Sequence, residues 1–274
     1  MQIELVGCTS SGKTTLLRGI LQACRDQGID AVSGYEYVLM KAHLNWVKGT
    51  LMRTLLLDLV SLISCFRTWR KNYEFFILTL KILFKLPSST SFFVKLNIAR
   101  NVYKKVGIYE IICRYDSDNQ IVLMDEGTLN TANYLFVHVS AERPIEHFST
   151  FKTLVTLPDV VIYLKQEEKV MIERTLIRGH KRIPDGSREL VERFVHRAVT
   201  TFDELTVDPS VRSRLVIVSN SQDIVVPPEY QHHSKQSFVL NLLQAGIDVI
   251  NNDGLPKNKP ILNSRLLLDN ATRE

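Results

Sequence analysis

Several things are scarce in this sequence. Its 274 residues include only four cysteines, Cys8, Cys24, Cys65 and Cys113, scattered without metal-ligand spacing. Isolated cysteines in an α/β chain are usually reduced core thiols, so neither a disulfide framework nor a zinc module is expected. There is no internal repeat and no low-complexity tract. A transmembrane helix wants roughly 20 predominantly apolar residues. The most apolar stretch, residues 51–86, is interrupted by Arg53, Asp58, Arg67, Arg70, Lys71, Lys81 and Lys85, which argues against a span. The basic excess is small, with a net charge of +5. It suits an anionic ligand or an anionic membrane surface, but no basic groove rich in aromatics accompanies it, so nucleic acid is not an expected partner. Length and composition suit one large α/β domain.

What the sequence does contain is Gly7-Cys8-Thr9-Ser10-Ser11-Gly12-Lys13-Thr14, the pattern G-x-x-x-x-G-K-[ST]. Before it, Gln2-Ile3-Glu4-Leu5-Val6 reads as a buried first strand. After it, residues 15–23 carry apolar side chains at helical spacing. Strand, glycine-rich turn and helix in that order put consecutive backbone N–H groups around phosphates at a helix N-terminus. Binding of a nucleoside triphosphate is therefore expected through Gly7, Thr9, Ser10, Ser11, Gly12, Lys13, Thr14 and Thr15. Lys13 would reach the β- and γ-phosphates, and the Thr14 hydroxyl would hold Mg²⁺. The loop follows Met1 by only a few residues, leaving no room for a signal or transit peptide, and a cytoplasmic protein is expected.

Further along, short apolar runs alternate with helical patterns, as in a parallel sheet with crossover helices. The runs are residues 30–33, 120–125, 159–164 and 214–219, and a helix is expected around 238–250. The fold class read from this is α/β, three layers of α/β/α with a parallel sheet. Residues 1–250 would form one domain and 251–274 a C-terminal tail. Within the domain, 41–115 reads as a helical insertion on the acceptor side, and 166–206 as a lid with its following helix. The insertion should hold two or three amphipathic helices broken at Pro87-Ser88-Ser89. Two readings of them stand: helices that cover the sheet and build a substrate lid, or helices whose apolar face and Lys/Arg flanks rest on a membrane or enclose a lipid-like acceptor.

Four further groups could carry chemistry. Asp125 and Glu126 close the strand 121–125, where an acid would lie across from the loop near Mg²⁺. In an ATPase the pair would orient metal and water; in a kinase, metal and acceptor. Asp-Glu-Gly-Thr is also ordinary turn chemistry. Glu36, just past the second strand, is either a carboxylate facing the acceptor hydroxyl or a solvated loop residue. Arg174 and Arg178 lie one turn apart on a helix and lead to Arg182. They could close over a transferring phosphoryl group, with Gly179 and Pro184-Asp185-Gly186 as hinges, or simply end a helix. Asn220, in Ser219-Asn220-Ser221-Gln222-Asp223, is expected to pack beside adenine; a plain surface turn and guanine reading are the other options.

Taken together, Gly7 to Thr15, Ile121 to Asp125, and Pro158-Asp159-Val160-Val161-Ile162-Tyr163-Leu164 followed by Glu173-Arg174, Arg178 and Gly179-His180 resemble the thymidylate-kinase-like branch of the phosphate-loop nucleoside and nucleotide kinases. The resemblance covers about half the chain. It implies a phosphate-loop NTPase fold with an arginine-bearing lid, ATP and Mg²⁺ as cofactors, and Thr14 and Asp125 as metal-side residues. The sequence departs from that branch where an Asp-Arg pair becomes Asp125-Glu126, and where an Arg-Glu-Pro-Gly-like stretch becomes Gly34-Tyr35-Glu36-Tyr37. The expected activity is a phosphotransferase moving the γ-phosphate to a small-molecule or lipid- or glycan-linked acceptor. The alternatives are a nucleoside monophosphate kinase and an ATP-hydrolysing switch. Expected partners are ATP and the acceptor; peripheral contact with the inner face of a membrane through residues 51–86 and a homodimer are both compatible with the sequence.

Overall fold

A computed structural model describes residues 1–88, 90–115, 120–138, 144–180, 182–183, 186–219, 223–225, 234–252 and 264–265. The elements run β1 (Gln2–Val6), α1 (Lys13–Asp26), β2 (Gly28–Ile29), β3 (Ala31–Ser33), α2 (Gly34–Lys41), α3 (Thr50–Arg67), α4 (Tyr73–Lys85), α5 (Phe92–Arg114) and β4 (Ile121–Met124). There follow α6 (Thr131–Phe136), α7 (Ile145–Leu154), β5 (Val160–Lys165), α8 (Glu168–Arg178), α9 (Arg188–Thr206), α10 (Pro209–Arg212), β6 (Leu215–Ser219), β7 (Asp223–Val225), α11 (Ser234–Asn252) and β8 (Ser264–Arg265).

The near-continuous apolar runs become strands because both of their faces are covered. They form a sheet of order β3-β4-β1-β5-β6-β7, parallel from β3 to β6, with β7 antiparallel on the edge. On one face Ile3, Leu5, Ile162 and Val216 pack with Leu16 and Ile20 of α1 and Leu242, Leu243 and Ile247 of α11. On the other, Val6, Val161 and Tyr163 meet Phe76 of α4, Phe136 of α6, Phe151 of α7 and Phe202 of α9. The chain is thus an α/β protein with helices on both sides of the sheet. The chain leaves β1 for β3 and β4 on one side and then passes from β4 across to β5 and β6 on the other, so the strand order reverses at β1, and the crevice at the carboxyl ends of the strands there is where open parallel sheets take ligands.

The insertion expected over 41–115 carries three long helices, α3, α4 and α5, with α4 ending at Lys85 and α5 starting at Phe92. Its helices meet at close range. A Cβ added at Gly107 of α5 would lie 1.8 Å from the Ser61 carbonyl oxygen of α3, so glycine is what lets the two backbones touch there. Asp58 of α3 is paired with Lys104 and Arg100 of α5, and Glu110 with Lys71. No helix among the described residues is long and apolar enough to cross a membrane.

Two local differences from expectation have plain causes. Residues 34–37, where Glu36 reads either as an acceptor-side carboxylate or as a solvated loop residue, open α2. Ser33 is the N-cap and accepts from the Glu36 backbone N–H at 3.3 Å, and Ser-x-x-Glu is a capping-box pattern. Short strand β2 pairs antiparallel with β8, so the segment expected to be a tail contributes two residues to a ladder.

Candidate functional site

The loop after β1 owes its shape to its glycines. Gly7 has φ 143° and Gly12 φ 101°, a region closed to most side chains, and Ser10 is also left-handed at φ 60°. A Cβ on Gly7 would fall 2.8 Å from the Leu164 carbonyl of β5, which keeps the loop tight against the neighbouring strand. Gly12 is the N-cap of α1, with no side-chain cap, and the first turn holds no acid. The first-turn N–H groups of a helix have no intrahelical acceptor, and their partial positive charge favours an anion. Among the described residues the buried Ser11 hydroxyl has no hydrogen-bond partner either. Lys13 curls back to donate to the carbonyls of Gly7 at 2.9 Å and Cys8 at 2.8 Å. Desolvation lowers its pKa, while Asp125 opposes that shift. Burial pushes the Cys8 thiol up to about 12, leaving it protonated and inert.

Parallel pairing of β1 with β4 brings the tips of the two strands side by side. There the Thr14 hydroxyl donates to Asp125 Oδ2 at 2.7 Å. Next to it, Glu126 Oε2 accepts from Lys105 at 2.9 Å and from the Tyr134 hydroxyl at 2.9 Å. Burial works against the Glu126 charge, but Lys105 and these hydrogen bonds prevail and hold its pKa down to about 2. Lys105 is almost wholly buried and also donates to the Tyr35 hydroxyl at 2.6 Å. Below this pair, Glu4 of β1 is 1% exposed. Its carboxylate accepts backbone N–H bonds from Gly127 at 3.1 Å, Leu129 at 3.3 Å and Asn130 at 2.9 Å, clasping the turn that follows Asp125 and Glu126. Burial raises its pKa to about 7 despite those bonds.

The remaining sequence candidates are placed unevenly. Glu36 lies on α2 in an ion pair with Arg53 of α3. Arg174 of α8 donates to the Ser10 carbonyl at 3.4 Å and its neighbour Thr175 to the Ser10 hydroxyl at 3.0 Å, so α8 leans on the loop. Arg178 is close enough to Lys13 to disfavour its charge. Arg182 turns elsewhere, donating to the carbonyls of Asn133 at 2.8 Å and Val137 at 3.1 Å, between the rings of Tyr134 and Phe194. Asn220 and the turn residues Pro184 and Asp185 lie outside the described residues. Thr9, Ser10, Ser11, Gly12, Lys13, Thr14 and Thr15 are together around the loop and first turn of α1, with Asp125 and Glu126 facing them.

Sequence reasoning missed Lys105, Tyr134, Glu4 and Arg53. Lys105 left a trace: it stands in the stripe Ile98, Val102, Lys105, Ile108, Ile112, where helical spacing calls for an apolar residue. No protein-family model matches the chain, and no curated protein matches it. The parallel sheet with helices on both faces is compatible with a phosphate-loop NTPase.

Proposed function

We propose that the chain is an ATP- and Mg²⁺-dependent phosphotransferase on a phosphate-loop kinase fold, moving the γ-phosphate to a small-molecule or lipid- or glycan-linked acceptor. The observation that carries this reading is the 2.7 Å contact between the Thr14 hydroxyl and the Asp125 carboxylate, beside an uncapped helix N-terminus. The residues fit the implied groups: the uncapped turn and the orphaned Ser11 hydroxyl are donors in need of an acceptor, and Thr14 with Asp125 offers a hard oxygen pair. Mg²⁺ is commonly held by one or two protein oxygens with phosphates and water supplying the rest. Thr14 and Asp125 would hold it, and it would neutralise charge on the phosphates. The Lys13 ammonium would exchange the carbonyls of Gly7 and Cys8 for phosphate oxygens. Arg174 and Arg178, on a helix already resting on the loop, would face the transferring group as a lid.

Transfer to an acceptor is favoured over hydrolysis by the state of the carboxylates. Glu126, held near pKa 2 by Lys105 and Tyr134, is a weak base for water. Glu36 is committed to Arg53. Phosphoryl transfer needs positioning and charge stabilisation more than a strong base, and the site supplies those. The same pairings weigh against a monophosphate acceptor: Lys105, Arg53, Lys104 and Arg100 are already compensated by Glu126, Glu36 and Asp58.

The test is calorimetry of the purified chain with ATP and Mg²⁺, followed by a phosphotransfer screen over sugars, nucleoside monophosphates and lipid-linked acceptors. Binding that is lost in Lys13→Ala, with diphosphate released only when an acceptor is present, supports the reading. Absence of any triphosphate affinity in folded protein refutes it. Acceptor-independent hydrolysis that is abolished in Glu126→Gln would transfer the assignment to an ATP-driven switch.

A further inference from the structure

The outer face of α3 is wrong for a helix in water. Leu51, Met52, Leu55, Leu59, Ile63 and Phe66 recur at steps of three and four and are between 44% and 74% exposed. They occupy one arc of the helix, which at 1.5 Å per residue runs for about 22 Å. The charged residues of α3, Arg53, Asp58 and Arg67, fall outside that arc. Its opposite side is fully used: Leu57, Ser61, Ser64 and Cys65 are buried. A helix that is apolar on a second face has something to put there. The same insertion exposes Trp46, Phe84, Phe92 and Phe93, all at 73% or more.

The charge of the insertion identifies the kind of surface. Residues 41–115 contain 13 Lys and Arg against 3 Asp and Glu, a net +10, while the rest of the chain has 21 against 26, a net −5. All the cationic excess of the protein is therefore in the segment that carries the apolar face. Two of its three acids, Asp58 and Glu110, are turned inward onto lysine and arginine. Lys48, Arg67, Arg70, Lys81 and Lys85 are exposed. Two copies meeting through this segment would bring net positive charge against net positive charge. An anionic bilayer meets both demands at once: hydrocarbon for the leucines and phenylalanines, lipid phosphate for the cations, and the boundary between them for an exposed tryptophan.

We propose that the apolar face of α3, within its cationic insertion, is a peripheral binding surface for an anionic lipid bilayer, on which the protein lies without crossing it. Because Arg53 of α3 is paired with Glu36 of α2, adsorption through this face holds the α2 side of the candidate site close to the lipid boundary. The inference stands independently of the phosphotransferase reading.

Flotation of the full chain with vesicles tests it, comparing phosphatidylcholine alone with phosphatidylcholine containing phosphatidylglycerol. Binding is expected to the anionic vesicles, to weaken with added salt and to shift Trp46 emission to the blue, with Trp46→Phe assigning the signal. Leu55→Glu and Leu59→Glu should each weaken partitioning about tenfold. Both positions are exposed, so the folded circular dichroism signal and ATP affinity should stay as in the parent, which separates failure here from failure of the nucleotide site. Three results would overturn the proposal. One is equal binding to neutral and anionic vesicles. Another is no vesicle binding with a dimer that Leu55→Glu dissociates, which would make the face a contact between copies. The third is no vesicle binding with a monomer that Leu55→Glu destabilises, which would make it an intramolecular contact.

Discussion

Lys105, on the inner side of α5, brings its ammonium nitrogen to 2.9 Å from the carboxylate of Glu126 at the tip of β4. A side chain of α5 thus sets the charge state of the acid just past β4. Replacing it by Lys105→Met removes the largest of the interactions that favour the Glu126 charge and leaves the Tyr134 hydrogen bond in place. Breaking a buried pair by removing one partner costs about 3–5 kcal/mol. Glu126 is 38% exposed, so about 2 kcal/mol is expected after screening, read by urea denaturation at neutral pH. The depressed carboxylate contributes stability that is present above pH 4.5 and lost as pH falls toward 2. The variant should therefore show a shallower acid limb, and an unchanged one would dissolve the pairing argument.

At the loop, Lys13→Ala should lower turnover with ATP by about 10²–10³-fold without loss of the folded signal, since among the described residues the hydrogen bonds it gives up go to the loop carbonyls of Gly7 and Cys8. Thr14→Ala and Asp125→Asn should each raise the Mg²⁺ concentration needed for half-maximal nucleotide binding. Titration of magnesium at fixed ATP reads this directly. Identical magnesium curves for parent and variants would remove both residues from the metal side.

The arginines of the proposed lid should separate. Arg182 donates to two main-chain carbonyls and is flanked by two rings, so Arg182→Ala should lower thermal stability by about 2 kcal/mol as carbonyl bonds and cation–π contacts go. Arg174→Ala, at a long 3.4 Å contact, should leave stability within about 0.5 kcal/mol and act on turnover instead. Melting curves and initial rates on the two variants distinguish a structural arginine from one that faces phosphate.

Gly107→Ala offers a test in which the sign is the result. In an open helix alanine is favoured over glycine by about 1 kcal/mol. At this position the new Cβ would lie 1.8 Å from the Ser61 carbonyl. The helices must part, and a net loss of about 1–3 kcal/mol is expected. Stabilisation would mean that α3 and α5 are not in backbone contact.

Glu4 predicts an opposite pH trend to that of Glu126. Its folded pKa, raised by burial to about 7 from 4.5, means that the folded state holds the proton more tightly than the unfolded chain. Its contribution is complete below pH 4.5 and disappears as pH rises through 7, by about 3 kcal/mol in total. The stability of the parent relative to Glu4→Gln should fall across that interval in a series of denaturation curves.

The strands were legible because each parallel strand is buried on both faces and reads as an unbroken apolar run. The turn from β1 into α1 was legible because Gly7 and Gly12 permit the positive φ values it requires. The contacts Thr14–Asp125 and Arg174–Ser10 were expected only as neighbourhoods, and their distances come from strand order. Lys105 escaped notice because pairing between α5 and β4 is set by how the insertion folds back, which no local pattern records. Arg182 read as one more cation in a basic run, and its carbonyl partners are about 45 residues away in sequence. Glu36 sits on a helix whose start is written in Ser33-x-x-Glu36, a signal that the alternation of apolar runs does not bring out.

Glu4 lies in the middle of the strand whose end becomes the glycine loop, yet its oxygens grip the main chain just past Asp125 and Glu126. One strand therefore anchors both walls of the crevice. Parting the two walls would require breaking that three-bond clasp beneath them, which makes separation costly and ties the spacing of Thr14 and Asp125 to a single buried acid.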